Sequence, residues 1–379
     1  MAASKEMNDA ALLEFRRESR DWISKNLPEE WRGEYVENLG LEESRKARWE
    51  WERRIYDGGF AGLNWPIEYG GRGLGMLEEF VFNEELAGAG APEELNHAGK
   101  VLAGPAILSH GTADQRARYL RPIVAAEELW SEGFSEPGAG SDLAGVSTTA
   151  TRDGLDFRIE GRKVWTSNAD VADRCFLLAR TSKDLPKRHN LTVFLLDMHQ
   201  DGISVENIRQ ISGMPEFTQV TFDGAIAKQE EVLGEENAGW KLCRIGGLAR
   251  NGMLRSALFH LRMLQVWTAQ LGECCAEVSA PVLRYEDARR ELELLRWHLR
   301  RTAELMSMED RWFEAASIVK LAYSELMQKV VAAGYELQCS RHVDNWRKWY
   351  LAARAATIYD GTSEIQRNVI ADQILGLPR

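Results

Sequence analysis

Two short segments carry side chains that could bind and transform a ligand. Residues 134–142 read Phe-Ser-Glu-Pro-Gly-Ala-Gly-Ser-Asp, and residues 164–168 read Val-Trp-Thr-Ser-Asn. Because Pro137 lacks an N–H and glycines cost backbone entropy in a helix, the first segment predicts a loop that brings bare amides and hydroxyls to a ligand. The second predicts a strand that offers the Trp165 ring. A loop that admits a ligand and a ring for stacking together predict a site for a flat cofactor.

Each of these residues also has a simpler interpretation. A Glu-Pro-Gly sequence is common in ordinary turns, and a residue such as Trp165 often belongs to a core. The glycines between residues 138 and 145 do not make a dinucleotide fingerprint, because the third is misplaced and strands rather than a helix follow. Near the C-terminus, Asp360 before Gly361 suits a turn or a helix cap without any chemistry. Taken singly, these motifs leave the chemistry open.

The remaining ionisable residues indicate no metal site. The seven histidines are scattered without paired spacing, and the five cysteines show no metal-ligand spacing. The adjacent pair Cys274 and Cys275 is not expected to form an ordinary disulfide. The charge-rich run 287–301 is typical of a solvated helix face.

Composition and charge narrow the class of protein. The 379 residues carry a formal net charge of −11, and the pI is about 5.3. An acidic chain of this kind is not expected to bind nucleic acid or anionic membrane surfaces. No apolar run reaches the length of a membrane span, and the first nine residues show neither a signal nor a transit peptide. A reduced, cytoplasmic protein is the simplest interpretation.

The predicted secondary structure that positions the two segments changes twice along the chain, from helices to strands and back to helices. Residues 8–125 predict mostly helices, interrupted by a loop at 63–73. Short β-branched and aromatic runs then predict strands, with a hairpin at Asp153-Gly154. Beyond Gly239 the spacing is helical, with a loop or broken helix at 341–350 and a last helix capped by Ser363 and Gln366.

We therefore predict an α+β multidomain fold. An N-terminal all-α domain spans residues 1–127, a central antiparallel β-barrel or sandwich domain spans 128–235, and a C-terminal four-helix bundle spans 236–379.

Three motifs in this order resemble the signatures of the acyl-CoA dehydrogenases. They are Gly-Phe-Ser-Glu-Pro-Gly-Ala-Gly-Ser-Asp at 133–142, Lys-Val-Trp-Thr-Ser at 163–167 and Tyr-Asp-Gly-Thr-Ser-Glu-Ile-Gln-Arg at 359–367. The segment 65–73 also resembles that family's N-terminal loop. The similarity covers essentially the whole chain. The ending Leu-Gly-Leu-Pro-Arg at 375–379 resembles an actinobacterial branch that handles steroid-derived acyl-CoAs.

The resemblance implies an FAD-dependent enzyme that removes the α and β hydrogens of an acyl-CoA thioester to give the 2-enoyl-CoA. Asp360 then matches the base that takes the α-proton, and the flavin N5 accepts the β-hydride. The chemistry required agrees with this role, because the α-proton of a thioester can be removed only if hydrogen-bond donors stabilise the enolate oxygen and desolvation raises the basicity of the carboxylate.

By position, further residues match the family's binding sites. The flavin set is Phe134, Ser135, Gly140, Ser141, Trp165, Ser167, Arg284, Gln338, Thr362 and Glu364. The set for the acyl-CoA is Ser141, Arg250, Tyr359 and Gly361. No residue is assigned to a metal.

The chain departs from the family pattern at the base and at two flavin-binding segments. The usual base is a glutamate, whereas this chain has Asp360, and the alternative base position on the first C-terminal helix holds Ala249. The family's Arg-x-x-Phe-Gly segment is not recognisable, and Arg284 with Tyr285 is its nearest match. Its Gly-Gly loop is replaced by residues 338–341. A bulkier or ring-bearing acyl group could bring its Cα closer to the shorter carboxylate.

These departures leave two other functions open. The chain could be a non-catalytic or flavin-sharing subunit of a heteromeric acyl-CoA dehydrogenase, or an oxidase similar to the nitroalkane oxidases, which use an aspartate at this position. For a dehydrogenase, the resemblance implies an electron-transfer flavoprotein as electron acceptor, and a homo-oligomer or a heterotetramer with a related subunit.

Overall fold

The chain begins with a helical domain, as the sequence predicted. The structure, a computed structural model, describes residues 9–32, 39–213, 217–245, 247–277, 283–308, 312–337 and 343–378. Its first five α-helices are α1 (Asp9–Asn26), α2 (Leu41–Asp57), α3 (Met76–Gly88), α4 (Gly104–His110) and α5 (Ala113–Val124). The predicted loop at 63–73 is confirmed, and it closes on itself because Leu74 N–H donates to the Leu63 carbonyl at 2.8 Å.

The middle of the chain forms one eight-stranded sheet. Its strands are β1 (Trp130–Gly133), β2 (Thr149–Asp153), β3 (Asp156–Ser167), β4 (Arg174–Arg180), β5 (Leu191–Asp197), β6 (Ile203–Ile208), β7 (Phe217–Ala227) and β8 (Val232–Leu233). The order is β6-β7-β3-β2-β4-β5-β8, with β1 beside β4. Most pairs are antiparallel, and the β2–β3 hairpin turns at Gly154, which has a φ of 65°. The sheet is not wholly antiparallel, because β1 and β2 both meet β4 in parallel.

The last part of the chain is helical again. It contains α6 (Gly239–Ile245), α7 (Gly247–Glu277), α8 (Leu283–Ser307), α9 (Trp312–Leu337), α10 (Val343–Ala352) and α11 (Ser363–Val369). The long helices α7, α8 and α9 pack on one another, and α10 and α11 both pack on α9. The loop or broken helix expected at 341–350 is wrong for residues 343–350, which are helical, because Trp346 and Trp349 bury one face of α10.

Two apolar clusters lie on opposite faces of the sheet. The residues Phe176 and Leu178 of β4 belong to a cluster that also contains core residues of the N-terminal and C-terminal helices. Their neighbours Cys175 and Leu177 belong to a second cluster inside the β domain. Since successive side chains of a strand point to opposite faces, one face of β4 packs on the helices and the other fills the β interior.

The structure corrects one expectation about the cysteines. Cys175, Cys243 and Cys275 are free thiols, whereas Cys274 is disulfide-bonded, so the fully reduced set expected from the sequence is wrong. Among the described residues, no helix is long and apolar enough to cross a membrane. The domain boundaries and the cytoplasmic location stay predictions.

Candidate active site

The glycine-rich loop is tied to the strand that carries Trp165. Val164 N–H donates to the Ser135 carbonyl at 2.9 Å, so the two motifs lie side by side although they are almost thirty residues apart. Glu136 and Ala139 exchange two backbone hydrogen bonds of 3.0 Å, which close a tight turn around Pro137 and Gly138. The structure therefore brings together the loop and the ring that the sequence predicted to share a site.

A bulge turns the Trp165 ring out of the sheet. The register between β3 and β7 shifts between Lys163 and Thr166, and Trp165 has a φ of 63°. Such a left-handed conformation is costly for a bulky residue and is found where function requires it. Trp165 is 55% exposed, and its ring lies at right angles to that of Phe217, with centroids 6.1 Å apart. Two residues further on, half-buried Ser167 ends the strand.

A buried ion pair holds the glycine-rich loop against β3. Glu136 Oε1 lies 2.9 Å from Lys163 Nζ, and both side chains are almost fully buried. Glu136 also accepts hydrogen bonds from Ser147 and from Thr148 N–H, and Lys163 also donates to the Phe134 carbonyl at 3.0 Å. Burial opposes the charged form, but the Lys163 charge and these hydrogen bonds lower the pKa of Glu136 to about 2. Both residues lie in motifs that were recognised in the sequence, but the sequence indicated no role for either of them.

The other predicted loop residues divide between core and surface. Phe134 is half-buried and meets Phe176 edge-on, with centroids 5.8 Å apart. Gly140 and Ser141 are exposed, and a Cβ added to Gly138 or Gly140 would meet nothing within 4 Å. The backbone of this loop is therefore open to a ligand.

The segment with Asp360 has an unusual backbone. Asp360 has a φ of 53° and Gly361 a φ of 84°, so two successive residues are left-handed. Aspartate tolerates this conformation better than most residues. Gln366 Nε2 donates to the Asp360 carbonyl at 3.1 Å, and Tyr359 OH lies 2.7 Å from His260 Nε2. The Asp360 side chain is exposed.

The helix that follows is capped one residue earlier than the sequence suggested. Thr362, not Ser363, is the N-cap, and its hydroxyl accepts from Ile365 N–H at 3.2 Å. The prediction of a capping box from Ser363 is wrong because the side chain of Gln366 is used at the Asp360 carbonyl instead. Glu364 lies exposed in the first turn, where its own backbone N–H and Thr362 lower its pKa.

Two charged residues that interact electrostatically with Asp360 were not predicted from the sequence. Lys320 on α9 is buried, donates to the Ala356 carbonyl at 3.0 Å and lies 6.0 Å from the centroid of the Tyr359 ring. Burial lowers its pKa, although the charges of Asp360 and Glu364 oppose the shift. Glu132 on β1 is half-buried, and burial and then the charge of Asp360 raise its pKa to about 7.

Three residues predicted to bind the flavin or the acyl-CoA lie outside these segments, and the structure describes the side chain of only one of them. Arg284 is exposed at the start of α8 and forms an ion pair with Glu336 near the end of α9. The structure does not bring it to Ser135 or Trp165 within this chain. The side chain of Arg250 and all of Gln338 lie outside the described residues.

Comparison with known protein families identifies the chain. Three family models match: "Acyl-CoA dehydrogenase, N-terminal domain" at residues 10–127, "Acyl-CoA dehydrogenase, middle domain" at 131–225 and "Acyl-CoA dehydrogenase, C-terminal domain" at 276–375. The chain belongs to the acyl-CoA dehydrogenase family. It is a flavin-dependent oxidoreductase with acyl-CoA dehydrogenase activity, and its cofactor is FAD, as the family motifs implied.

Similar proteins place the acyl-CoA dehydrogenase near one branch of the family. The protein "Acyl-CoA dehydrogenase IpdE1" of Mycobacterium tuberculosis is 36% identical over 97% of this chain and 98% of its own length. The solved structure "Tcur3481-Tcur3483 steroid ACAD" is 26% identical, with a TM-score of 0.83 over 98% of this chain and 99% of that one. The ChsE4-ChsE5 complex from Mycobacterium tuberculosis is 26% identical, with a TM-score of 0.77 over 99% and 100%. The predicted three-part fold is thereby confirmed.

The residues present fit a bound flavin. An exposed indole turned out of the sheet offers a stacking face. The glycine loop beside it leaves room above its backbone. The buried hydroxyl of Ser363, at the start of α11, has no hydrogen-bond partner among the described residues. A ring, open backbone amides and an unpaired hydroxyl are the features that a flat, polar-edged cofactor requires.

Proposed function

We propose that Asp360 is the base that removes the α-proton of the acyl-CoA. The observation that supports this role is the placement of Asp360 on a left-handed segment directly before the capped start of α11. The side chain is exposed, so a substrate can approach it. The alternative base position of the family is occupied by Ala249, which cannot accept a proton.

The backbone around Asp360 suits this task. The Gln366 hydrogen bond to the Asp360 carbonyl and the Thr362 cap fix the segment from its C-terminal side. The hydrogen bond between Tyr359 and His260 fixes it from its N-terminal side. A general base must be held within about 2.6–3.2 Å of its proton, and a fixed backbone lowers the cost of that alignment. The Asp360 N–H would be one of the donors to the thioester oxygen as negative charge develops there.

We assign the flavin to the surface between the loop and the bulge. Phe134, Ser135, Trp165 and Ser167 would hold the ring, with the two serine hydroxyls at its polar edge. Gly140 and Ser141 would line the entrance, and Thr362 and Glu364 would contact the ADP half. When bound there, the flavin supplies the acceptor for the β-hydride. Arg284 and Gln338 would serve the flavin of a neighbouring subunit, which agrees with the exposed position of Arg284 at the start of α8.

The proposed substrate is a ring-bearing, steroid-derived acyl-CoA. The steroid acyl-CoA dehydrogenase that shares the fold at 26% identity supports this class. So does the shorter carboxylate, because a bulky acyl group can bring its Cα closer to Asp360. Arg250 and Ser141 would contact the CoA portion, and Tyr359 and Gly361 would flank the thioester. We keep an electron-transfer flavoprotein as the proposed electron acceptor, and cytoplasm as the proposed location.

A second candidate is a subunit of a heteromeric dehydrogenase. The similar structures named as the Tcur3481-Tcur3483 and ChsE4-ChsE5 assemblies each combine two differently named chains. On α8, Leu294 and Trp297 are 61% and 65% exposed, three positions apart, and such a patch suits a subunit contact. In the part of the chain that the structure describes, no feature favours the oxidase alternative.

An anaerobic visible spectrum tests the proposal. The chain purified alone is titrated with straight-chain and steroid-derived acyl-CoAs, and bleaching of the flavin band reports dehydrogenation. We expect bleaching with the ring-bearing thioester and a rate lower by about 10²–10⁴ in Asp360→Asn. The unbleached spectrum of Asp360→Asn serves as the control for bound flavin. Bleaching of that variant at the wild-type rate would exclude Asp360 as the base, and a purified chain without flavin would favour the heteromeric subunit.

A further inference from the structure

We propose that Arg45 is a positioning residue for the flavin, because it clamps the turn that directly follows Trp165 and Ser167. Arg45 lies on α2 of the N-terminal helical domain, 125 positions before its partner Asp170 in the sequence. Its guanidinium holds the end of β3 in the conformation that binds the flavin. This role rests on the flavin position proposed above, between the glycine-rich loop and the bulge of β3.

The Arg45 guanidinium forms three hydrogen bonds with the turn between β3 and β4. Its Nη1 donates to Asp170 Oδ2 at 2.8 Å, and its Nη2 donates to Asp170 Oδ1 at 2.9 Å. Nη2 also donates to Asn168 Oδ1 at 3.1 Å. Arg45 is buried, whereas 21% of the Asp170 side chain is exposed. Because a planar guanidinium binds a carboxylate through two parallel bonds, this clamp fixes both the distance and the orientation of the turn.

An apolar contact joins α2 to the same segment. Trp49, one helical turn after Arg45, packs against a small cluster that contains Ala172. Within the turn, Val171 N–H donates to the Asn168 carbonyl at 3.2 Å. Side chains four positions apart on a helix share a face, so one face of α2 holds both ends of residues 168–172.

The backbone on either side of Ser167 is unusual. Trp165 has a φ of 63° and Asn168 a φ of 52°, so both are left-handed. Non-glycine residues keep this conformation only where the surrounding structure determines it. On the side of Trp165, the determinant is the register shift between β3 and β7. On the side of Asn168, the hydrogen bond from Arg45 supplies it.

The consequence is a flavin site that is already formed before the flavin binds. A backbone that is held in the bound conformation does not have to be ordered at the moment of binding. If the clamp is weakened, the segment reaches the binding conformation for only part of the time, and the apparent Kd rises by the inverse of that fraction. Arg45 therefore acts on the rate at which FAD associates. The Trp165 ring, on which the flavin would stack, acts instead on the rate at which FAD leaves.

Stopped-flow binding of FAD to the apoprotein tests the proposal. Arg45→Lys keeps the positive charge but loses the planar fork. We expect FAD to associate about tenfold more slowly than with the wild type, as for a binding conformation that is populated about a tenth of the time, and to dissociate at the wild-type rate. Wild-type association in Arg45→Lys would overturn the proposal.

Arg48→Lys is the matched control. Arg48 lies on the same helix, and among the described residues it donates hydrogen bonds only to Glu93 and Glu94. Its ion pair with Glu93 measures 3.1 Å, so a lysine at this position removes a similar contact that does not hold the end of β3. We expect Arg48→Lys to bind FAD at the wild-type rate. Equal slowing in both variants would show a general loss of structure and would refute a specific role of Arg45.

Asp170→Asn tests the clamp from its more exposed end. The amide keeps the shape of the carboxylate but accepts only one of the two hydrogen bonds, and the buried Arg45 stays in place. We expect association slower than in the wild type and faster than in Arg45→Lys. Thermal unfolding of the apoprotein shows whether each variant is folded. Wild-type association in a folded Asp170→Asn would contradict the clamp.

Trp165→Ala separates the role of Arg45 from the position of the flavin. If the flavin stacks on Trp165, this variant releases FAD faster than the wild type and associates with it at nearly the wild-type rate. If Trp165→Ala binds and releases FAD as the wild type does, the proposed flavin position fails, and the role of Arg45 fails with it. If Trp165→Ala releases FAD faster while Arg45→Lys associates normally, the flavin position stands and only the role of Arg45 fails.

Discussion

Glu136 and Lys163 form an ion pair of 2.9 Å beneath the site, and this pair joins the glycine-rich loop to the strand that presents Trp165. The pair lies where neither solvent nor ligand reaches it. Its role is to hold two backbone segments, not to react.

Removal of Lys163 should therefore destabilise the fold and loosen the site. In Lys163→Met the Glu136 carboxylate stays buried without its cation, and we expect a loss of about 3–5 kcal/mol in the free energy of unfolding. Chemical denaturation of the protein measures this loss. The double variant with Glu136→Gln leaves no buried charge and should recover part of it. Equal stability of Lys163→Met and wild type would contradict the assignment of the pair.

The same pair predicts a specific acid dependence. The pKa of Glu136 is lowered from 4.5 to about 2, so its contribution to stability is present above pH 4.5 and is lost as the pH falls through 2. Glu136→Gln should therefore show a flatter fall in stability between pH 4.5 and 2 than the wild type. Denaturation midpoints across this range provide the comparison, and parallel curves for the two proteins would argue against it.

Replacement of Trp165 should weaken FAD binding. Trp165→Ala removes the stacking face, and we expect about 0.5–1.5 kcal/mol of lost interaction beyond the buried area, which is about 2- to 13-fold in Kd. Trp165→Phe retains an aromatic face and should lose less. Fluorescence titration of the apoprotein with FAD measures both. If Trp165→Ala bound FAD with wild-type affinity, the flavin ring would not stack on Trp165.

The cap of α11 should matter for the stability of the apoprotein. Thr362→Ala removes the hydroxyl that accepts from Ile365 N–H, at a cost of about 1 kcal/mol. Thr362→Ser keeps the acceptor and is the matched control. Thermal unfolding of the two variants without flavin separates capping from cofactor contacts, and identical curves would show that the hydroxyl does not cap the helix.

Lengthening the proposed base should change acyl preference. Asp360→Glu adds one methylene, which brings the carboxylate closer to a slim acyl chain and crowds a ring-bearing one. We expect the ratio of kcat/KM to shift toward straight-chain acyl-CoAs. The comparison uses one straight-chain and one steroid-derived thioester. An unchanged ratio would contradict the proposal that the short carboxylate of Asp360 favours bulky substrates.

Local sequence patterns determined much of this protein. The Pro-Gly loop, the strand with Trp165 and the turn at Asp360-Gly361 were visible because proline, glycine and β-branched residues restrict the backbone over a few positions. The order of helical, β and helical regions followed from hydrophobic periodicity. The cap of α11 was predicted one residue late, because both Thr362 and Ser363 suit an N-cap and only the hydrogen bonds of Gln366 distinguish them.

Only the tertiary structure decided which distant residues meet. The pairing of Glu136 with Lys163 depends on the hydrogen bond between Ser135 and Val164, and therefore on how the loop lies against β3. The ion pair between Arg296 on α8 and Glu84 on α3 depends on how the C-terminal helices pack against the N-terminal ones. A sequence pattern reports the face on which a residue lies, but the charge that it meets there comes from another part of the chain. Contacts between residues more than two hundred positions apart are set by packing, which local periodicity does not encode.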